Sequence, residues 1–205
     1  MIDSHSHPQK KHSLSILVLF LFCLVFCTID GRGTVEPEFH SPFNDPNRQS
    51  FRSIERRVVG SYGDYRKSYK PGHLHAGIDL EGAFNETIYA IGSGKVHMMF
   101  RSFPHQSVII EHWMSGGDFL YSVYTHVEQI QVKVGDWVDE NTPIARLFNQ
   151  DELKRANFGT PNHLHLEIRK SIADEGRASY ASMTRQELDK FCMDPMEFFK
   201  TRLTK

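Results

Sequence analysis

The sequence predicts a mainly β fold: a compact antiparallel sandwich or barrel-like domain with short C-terminal helices, preceded by an N-terminal apolar leader. Three observations carry this prediction. Asn162-His163-Leu164-His165-Leu166-Glu167-Ile168-Arg169 alternates polar and apolar with period two, the pattern of a half-buried strand. Short β-prone runs separated by Gly and Asn/Asp turns recur from Arg57 onward. The clear helix signals come late, at Thr184 and at Asp194-Pro195.

The elements follow in chain order. Residues 1–12 are polar and include Lys10 and Lys11, and the stretch Leu14 to Ile29 is almost wholly apolar. A basic lead before such a run is a secretory signal or an N-terminal anchor. The run is shorter than the roughly 20 residues of a spanning helix. Lysines before it and Asp30 after it favour an inside N-terminus and an exported body. A cleaved signal ranks first, a retained inner-membrane anchor second, and lipidation at Cys27 third. Residues 30–55, with Gly31, Gly33, Pro37, Pro42 and Pro46, read as a linker, and 56–205 as the folded domain.

Within that domain the expected strands are 87–90, 94–100, 107–111, 119–126, 137–138, 144–148 and 163–169. Met114-Ser-Gly-Gly-Asp118 joins two of them into a hairpin. Asn149 to Asn162 reads as a long charged loop. Thr184-Arg-Gln-Glu187 is a capping-box pattern, with Leu188, Phe191 and Cys192 at helical spacing behind it. Asp194-Pro195 starts a second short helix, packed down by Phe198 and Phe199.

Composition narrows the function. The formal net charge is −1, so no general basic field draws the chain to nucleic acid. Of three cysteines only Cys192 lies outside the leader, so the domain has no intrachain disulfide. Cys192 reads as a buried apolar filler and not as a nucleophile. There is no Gly-x-Ser-x-Gly elbow for a serine hydrolase.

The chemistry sits on two segments far apart in the chain. On the alternating stretch His163, His165, Glu167 and Arg169 share one face, and Leu164, Leu166 and Ile168 face a core. Upstream, His75-Ala76-Gly77-Ile78-Asp79, if extended, points His75, Gly77 and Asp79 one way and Ala76, Ile78 and Leu80 the other. One histidine from the later stretch completes a His/Asp/His set. Catalytic zinc takes three N/O ligands and keeps a fourth position for water.

These segments, with Tyr124-Thr-His126 between them, resemble the lysostaphin-type (LytM-like) zinc endopeptidases that cut peptidoglycan peptides. That family shows His-x-Gly-x-Asp early, Tyr-x-His midway and His-x-His late. Val59-Gly-Ser-Tyr-Gly63, Ala90 to Val96, Val108 to His112, Val134 to Val138 with Pro143 to Ala145, and Asp194-Pro195 also fit in order. The resemblance covers roughly residues 56–200. It implies that His75, Asp79 and His165 hold one Zn2+, and that His126 and His163 are the catalytic residues beside it. One would take a proton from water, and the other would hydrogen-bond the tetrahedral intermediate. It further implies an exported protein of the cell envelope with a peptidoglycan peptide as substrate, and it sets no oligomeric state. His73, His97, His105 and His112 fall outside the pattern, His112 reading as structural and His97 and His105 as surface residues. The alternative from another class is a non-hydrolytic envelope regulator that binds cell wall or activates another hydrolase. Degenerate relatives of that kind usually lack ligands, and this chain lacks none.

Overall fold

The computed structural model describes residues 36–67, 72–173 and 184–205. The chain divides into Met1–Thr34, which with the expected leader lies outside the described residues, and a unit spanning Val35–Lys205. Among the described residues no helix is long and apolar enough to cross a membrane.

The strands are β1 (Val58–Gly60), β2 (Tyr65–Arg66), β3 (His73–Leu74), β4 (Ile78–Glu81), β5 (Thr87–Tyr89), β6 (Gly94–Phe100) and β7 (Ser107–Trp113). They continue with β8 (Phe119–Thr125), β9 (Val127–Glu128), β10 (Trp137–Val138), β11 (Pro143–Leu147), β12 (His163–Arg169) and β13 (Cys192–Met193). The helices are α1 (Phe51–Glu55), α2 (Gln150–Ala156), α3 (Arg185–Phe191) and α4 (Pro195–Arg202).

The main sheet has the order β1-β4-β12-β8-β7-β6-β10, with β13 on β12. All its pairs are antiparallel. Among the described residues it is an open ladder ending at β1 and β10, so the barrel-like closure expected from the sequence is not formed there. A second sheet, β5-β11-β9, lies beside it, and β2-β3 is a separate ribbon. One core serves both larger sheets. Leu164, Leu166, Ile168, Tyr124, Val108 and Ile110 from the first meet Ile88, Ile144, Leu147 and Val127 from the second. The alternation read in 163–169 is therefore real: the leucines and Ile168 enter this core, and the two histidines, Glu167 and Arg169 take the other face.

The segment expected to be a linker contributes to the same core. Phe39, Phe43 and Ile54 are buried in it. Asp45 is held by Arg57 at 2.8 Å, and Arg57 also reaches Glu86 at 2.9 Å and stacks over the Phe43 ring at 4.0 Å. Phe198 and Phe199 of α4 close the core from the C-terminal side, as their spacing behind Asp194 suggests.

Three local expectations are corrected. The early motif is not a continuous strand: β4 begins only at Ile78, and Ala76 leaves the face of Ile78 and Leu80 to pack with Leu188 and Cys192. The stretch 149–162 is not a plain loop. Asn149 accepts hydrogen bonds from the Asp151 and Glu152 amides, the Glu152 side chain answers the Asn149 amide, and helix α2 follows. Asn149-x-x-Glu152 was a readable start signal for it. Cys192 leaves α3 and pairs with Arg169 in β13.

Candidate metal centre

Three pairings bring the site together. β12 lies between β4 and β8, with His165 opposite Asp79 on one side and opposite Thr125 on the other. The chain before β4 then has to cross close to β12. At Gly77 a Cβ would sit 2.3 Å from the Leu166 carbonyl oxygen, so only glycine lets the backbone pass. This close crossing carries His75 over the end of Asp79.

The result is a convergence of three electron-pair donors. His75 Nε2 lies 2.8 Å from His165 Nδ1 and 2.9 Å from Asp79 Oδ1, and His165 Nδ1 lies 3.0 Å from the same oxygen. All three residues are buried. The far nitrogens settle which atoms face inward. His75 Nδ1 lies 2.7 Å from the Ser61 carbonyl oxygen, an acceptor only, so this nitrogen carries the hydrogen. His165 Nε2 lies 2.8 Å from Glu167 Oε1 and donates there. In the neutral tautomers, His75 Nε2 and His165 Nδ1 therefore both aim lone pairs at a carboxylate oxygen. Atoms of that kind at such distances repel unless a cation lies among them. A proton satisfies only part of the set, whereas a metal ion satisfies all three contacts. The donor set fits a metal, as His, Asp and His should.

Charges are tuned by the same contacts. Burial works against ionisation of Asp79, yet its contacts with His165 and His75 outweigh it and hold the carboxyl well below the usual range. Its other oxygen accepts from Arg66 at 2.7 Å. Burial also depresses His75. His165 goes the other way. Burial would lower it, but hydrogen bonds to Asp79 and Glu167 raise it to about 9. For the protein groups alone His165 is thus where a proton settles, and a metal ion would displace that proton.

Two further histidines flank the donors. The His163 ring lies at the edge of the cluster, with Nε2 3.9 Å from Asp79 Oδ1 and Nδ1 2.8 Å from the Pro161 carbonyl oxygen. His126 makes the same use of Pro104, Nδ1 to carbonyl oxygen at 3.0 Å. Both rings are fixed with Nε2 as the free lone pair. The ring centroids of His126 stand 5.1 Å from His163 and 6.1 Å from His165. Burial, with neighbouring His163 and His165, pushes His126 well down, and burial also lowers His163.

His126 reaches this place against the strand pattern. Continued alternation would put it with Tyr124, in the core. Strand β8 stops at Thr125, and His126 takes φ +66°, which turns its ring to the metal side. A left-handed non-glycine residue costs on the order of 1–3 kcal/mol and persists where its surroundings hold it.

All five sequence-predicted site residues, His75, Asp79, His126, His163 and His165, come to one place. His73 does not join the donors; it sits in β3 opposite Arg66. His112 is in the core, 2.9 Å from the Ser93 carbonyl and 2.8 Å from Ser122 Oγ. His97 is near the surface beside Glu111. His105 is not a surface residue: its half-buried ring stands 5.3 Å from His126. Sequence reasoning missed Arg66 and also Phe158, whose tilted ring has its centroid 4.5 Å from that of His126 and 5.9 Å from that of His163. Neither had a readable signal. Glu167 and Arg169 had one, since alternation put them beside His165.

Comparison with known proteins agrees with this geometry. The profile of peptidase family M23 matches residues 73–180, and the chain belongs to that family. The His75, Asp79 and His165 set is typical of its zinc peptidases. Among solved structures, lysostaphin, the antimicrobial peptidase from Staphylococcus simulans, is similar in fold at 20% identity and a TM-score of 0.55. That match covers 82% of this chain and 56% of lysostaphin, so this chain spans little more than half of that relative. LytU is similar at 26% identity and a TM-score of 0.50, over 71% of this chain and 85% of that one. No curated protein matches the sequence.

Proposed function

We propose that this protein is an exported zinc endopeptidase of the cell envelope that hydrolyses amide bonds in peptidoglycan peptides. The observation that carries the reading is the convergence of His75 Nε2, Asp79 Oδ1 and His165 Nδ1, flanked by two imidazoles with free Nε2 atoms. His75, Asp79 and His165 would hold the ion; when bound, zinc lowers the pKa of a water to about 7 and polarises the scissile carbonyl. The chain's own groups do the rest. His126 and His163, kept neutral by burial, are ready to accept a proton at Nε2 from the attacking water. The other imidazole, when it carries a proton at Nε2, would donate a hydrogen bond to the oxygen on which charge develops. The Phe158 and Phe148 rings keep water from one side of these histidines, since Phe158 packs against His126 with ring centroids 4.5 Å apart and stands 6.1 Å from Phe148. Export rests on the basic-then-apolar start of the sequence, residues 1–29, acting as signal or anchor.

The test is release of soluble muropeptides from purified sacculi by the full chain, with zinc and with chelator, beside His126→Ala. Zinc-dependent release that the variant lacks is expected, and mass spectrometry of the products names the bond. A folded, zinc-loaded protein that releases nothing would overturn the reading in favour of a wall-binding regulator.

A further inference from the structure

The polar face of β12 continues beyond the two histidines. Glu167 and Arg169 follow on it, with exposures of 2% and 0%. Burying a carboxylate and a guanidinium costs more than filling the same volume with hydrocarbon, and such pairs are weak evidence for stability. Their arrangement suits another purpose. Arg169 Nε donates to Glu167 Oε2 at 2.5 Å. Glu167 Oε1 lies 2.8 Å from His165 Nε2, and His165 Nδ1 faces His75 and Asp79. One carboxylate oxygen serves the guanidinium and the other serves the imidazole. The backbone crossing at Gly77 confines the same carboxylate, since a Cβ there would come within 3.0 Å of Glu167 Cγ.

We propose that Glu167, held by Arg169, is a positioning residue that fixes His165 with its Nδ1 lone pair toward the metal. The inference rests on the metal reading above. A neutral imidazole has two tautomers, and only the one protonated at Nε2 can ligate through Nδ1. An acceptor at Nε2 selects that tautomer and stops the ring from turning. Arg169 keeps the carboxylate aimed, because its Nε–H holds Glu167 Oε2 while Oε1 faces His165. Loss of such an outer partner of a ligating histidine lowers metal affinity about 10- to 100-fold.

The test compares the full metal-stripped chain with Glu167→Gln and with the double variant Glu167→Gln/Arg169→Met. Zinc affinity is read by competition with a chromogenic chelator, and thermal melting of the metal-free proteins is read alongside. The wild type is expected to bind one zinc, and Glu167→Gln to bind it about 10- to 100-fold more weakly. The double variant removes both buried charges, so its metal-free melting should recover while its zinc affinity does not. Zinc affinity in Glu167→Gln within twofold of wild type, or affinity that returns with melting in the double variant, would overturn the proposal. Glu167→Asp gives the same decision if either variant fails to fold. It keeps a charge for Arg169 but withdraws it from His165 by one methylene, so it should lose zinc affinity without losing melting temperature; retained affinity overturns the proposal. A wild type that binds no zinc at all would instead overturn the metal reading itself, and this inference with it.

Discussion

Gly77→Ala is the substitution for which the structure predicts most. The added Cβ would lie 2.3 Å from the Leu166 carbonyl oxygen, 2.8 Å from its carbonyl carbon and 3.0 Å from Glu167 Cγ. Two of these neighbours are backbone atoms in the middle of β12, paired on both sides, so they cannot swing aside. To reach ordinary contact the crossing segment has to retreat by about 1 Å, an overpacking change that typically costs about 1–3 kcal/mol. At roughly 2–4 °C per kcal/mol for a domain of this size, melting should fall by about 2–12 °C. The retreat also pulls His75 from His165, which now stand 2.8 Å apart at their facing nitrogens. Misplacement of that size costs about 100-fold in turnover. Urea unfolding of the metal-free protein gives the first number, and peptide hydrolysis at saturating zinc the second. An alanine variant that unfolds and turns over like the wild type would refute the claim that this crossing sets the geometry of the site.

The remaining predictions concern the donors, the flanking rings and pH. His165→Ala should lose zinc and activity together, checked by metal content and hydrolysis on the same sample. His126→Ala and His163→Ala should keep most zinc but lose about 10²–10⁴-fold in turnover; equal loss of zinc in either would contradict the division between holding the ion and moving protons. Chelation should abolish activity and lower the melting temperature, and added zinc should restore both. His112 is buried and burial lowers its pKa to about 4, below the ordinary value of 6.5. Its contribution is complete above pH 6.5 and is lost as the unfolded chain takes the proton, down to about pH 4, by as much as about 3 kcal/mol. The difference between wild type and His112→Gln in urea unfolding across that range isolates this effect. His165 works in the opposite sense. Its raised pKa stabilises the metal-free protein below pH 6.5, and that contribution is lost as pH rises toward about 9.

Much of this molecule could be read from local chemistry. Period-two alternation from His163 to Arg169 identified the central strand and its two faces, because one strand face repeats every second residue whatever lies beside it. The Thr184-x-x-Glu187 and Asp194-Pro195 signals marked real helix starts, because capping satisfies backbone donors within four residues. The site residues were likewise legible as residue types in order. What the sequence could not decide is how they converge. His75 and His165 stand 90 positions apart, and their contact depends on β12 pairing between β4 and β8. His126 shows the limit most clearly. Alternation assigned it to the face of Tyr124, and one left-handed residue reverses that assignment. The strain of that conformation has no local reward; it is held by the Pro104 carbonyl and by rings from other parts of the chain. Burial of Glu167 and Arg169 is decided in the same way. Their side of the strand is written in the sequence, but only neighbouring elements determine whether that side meets water.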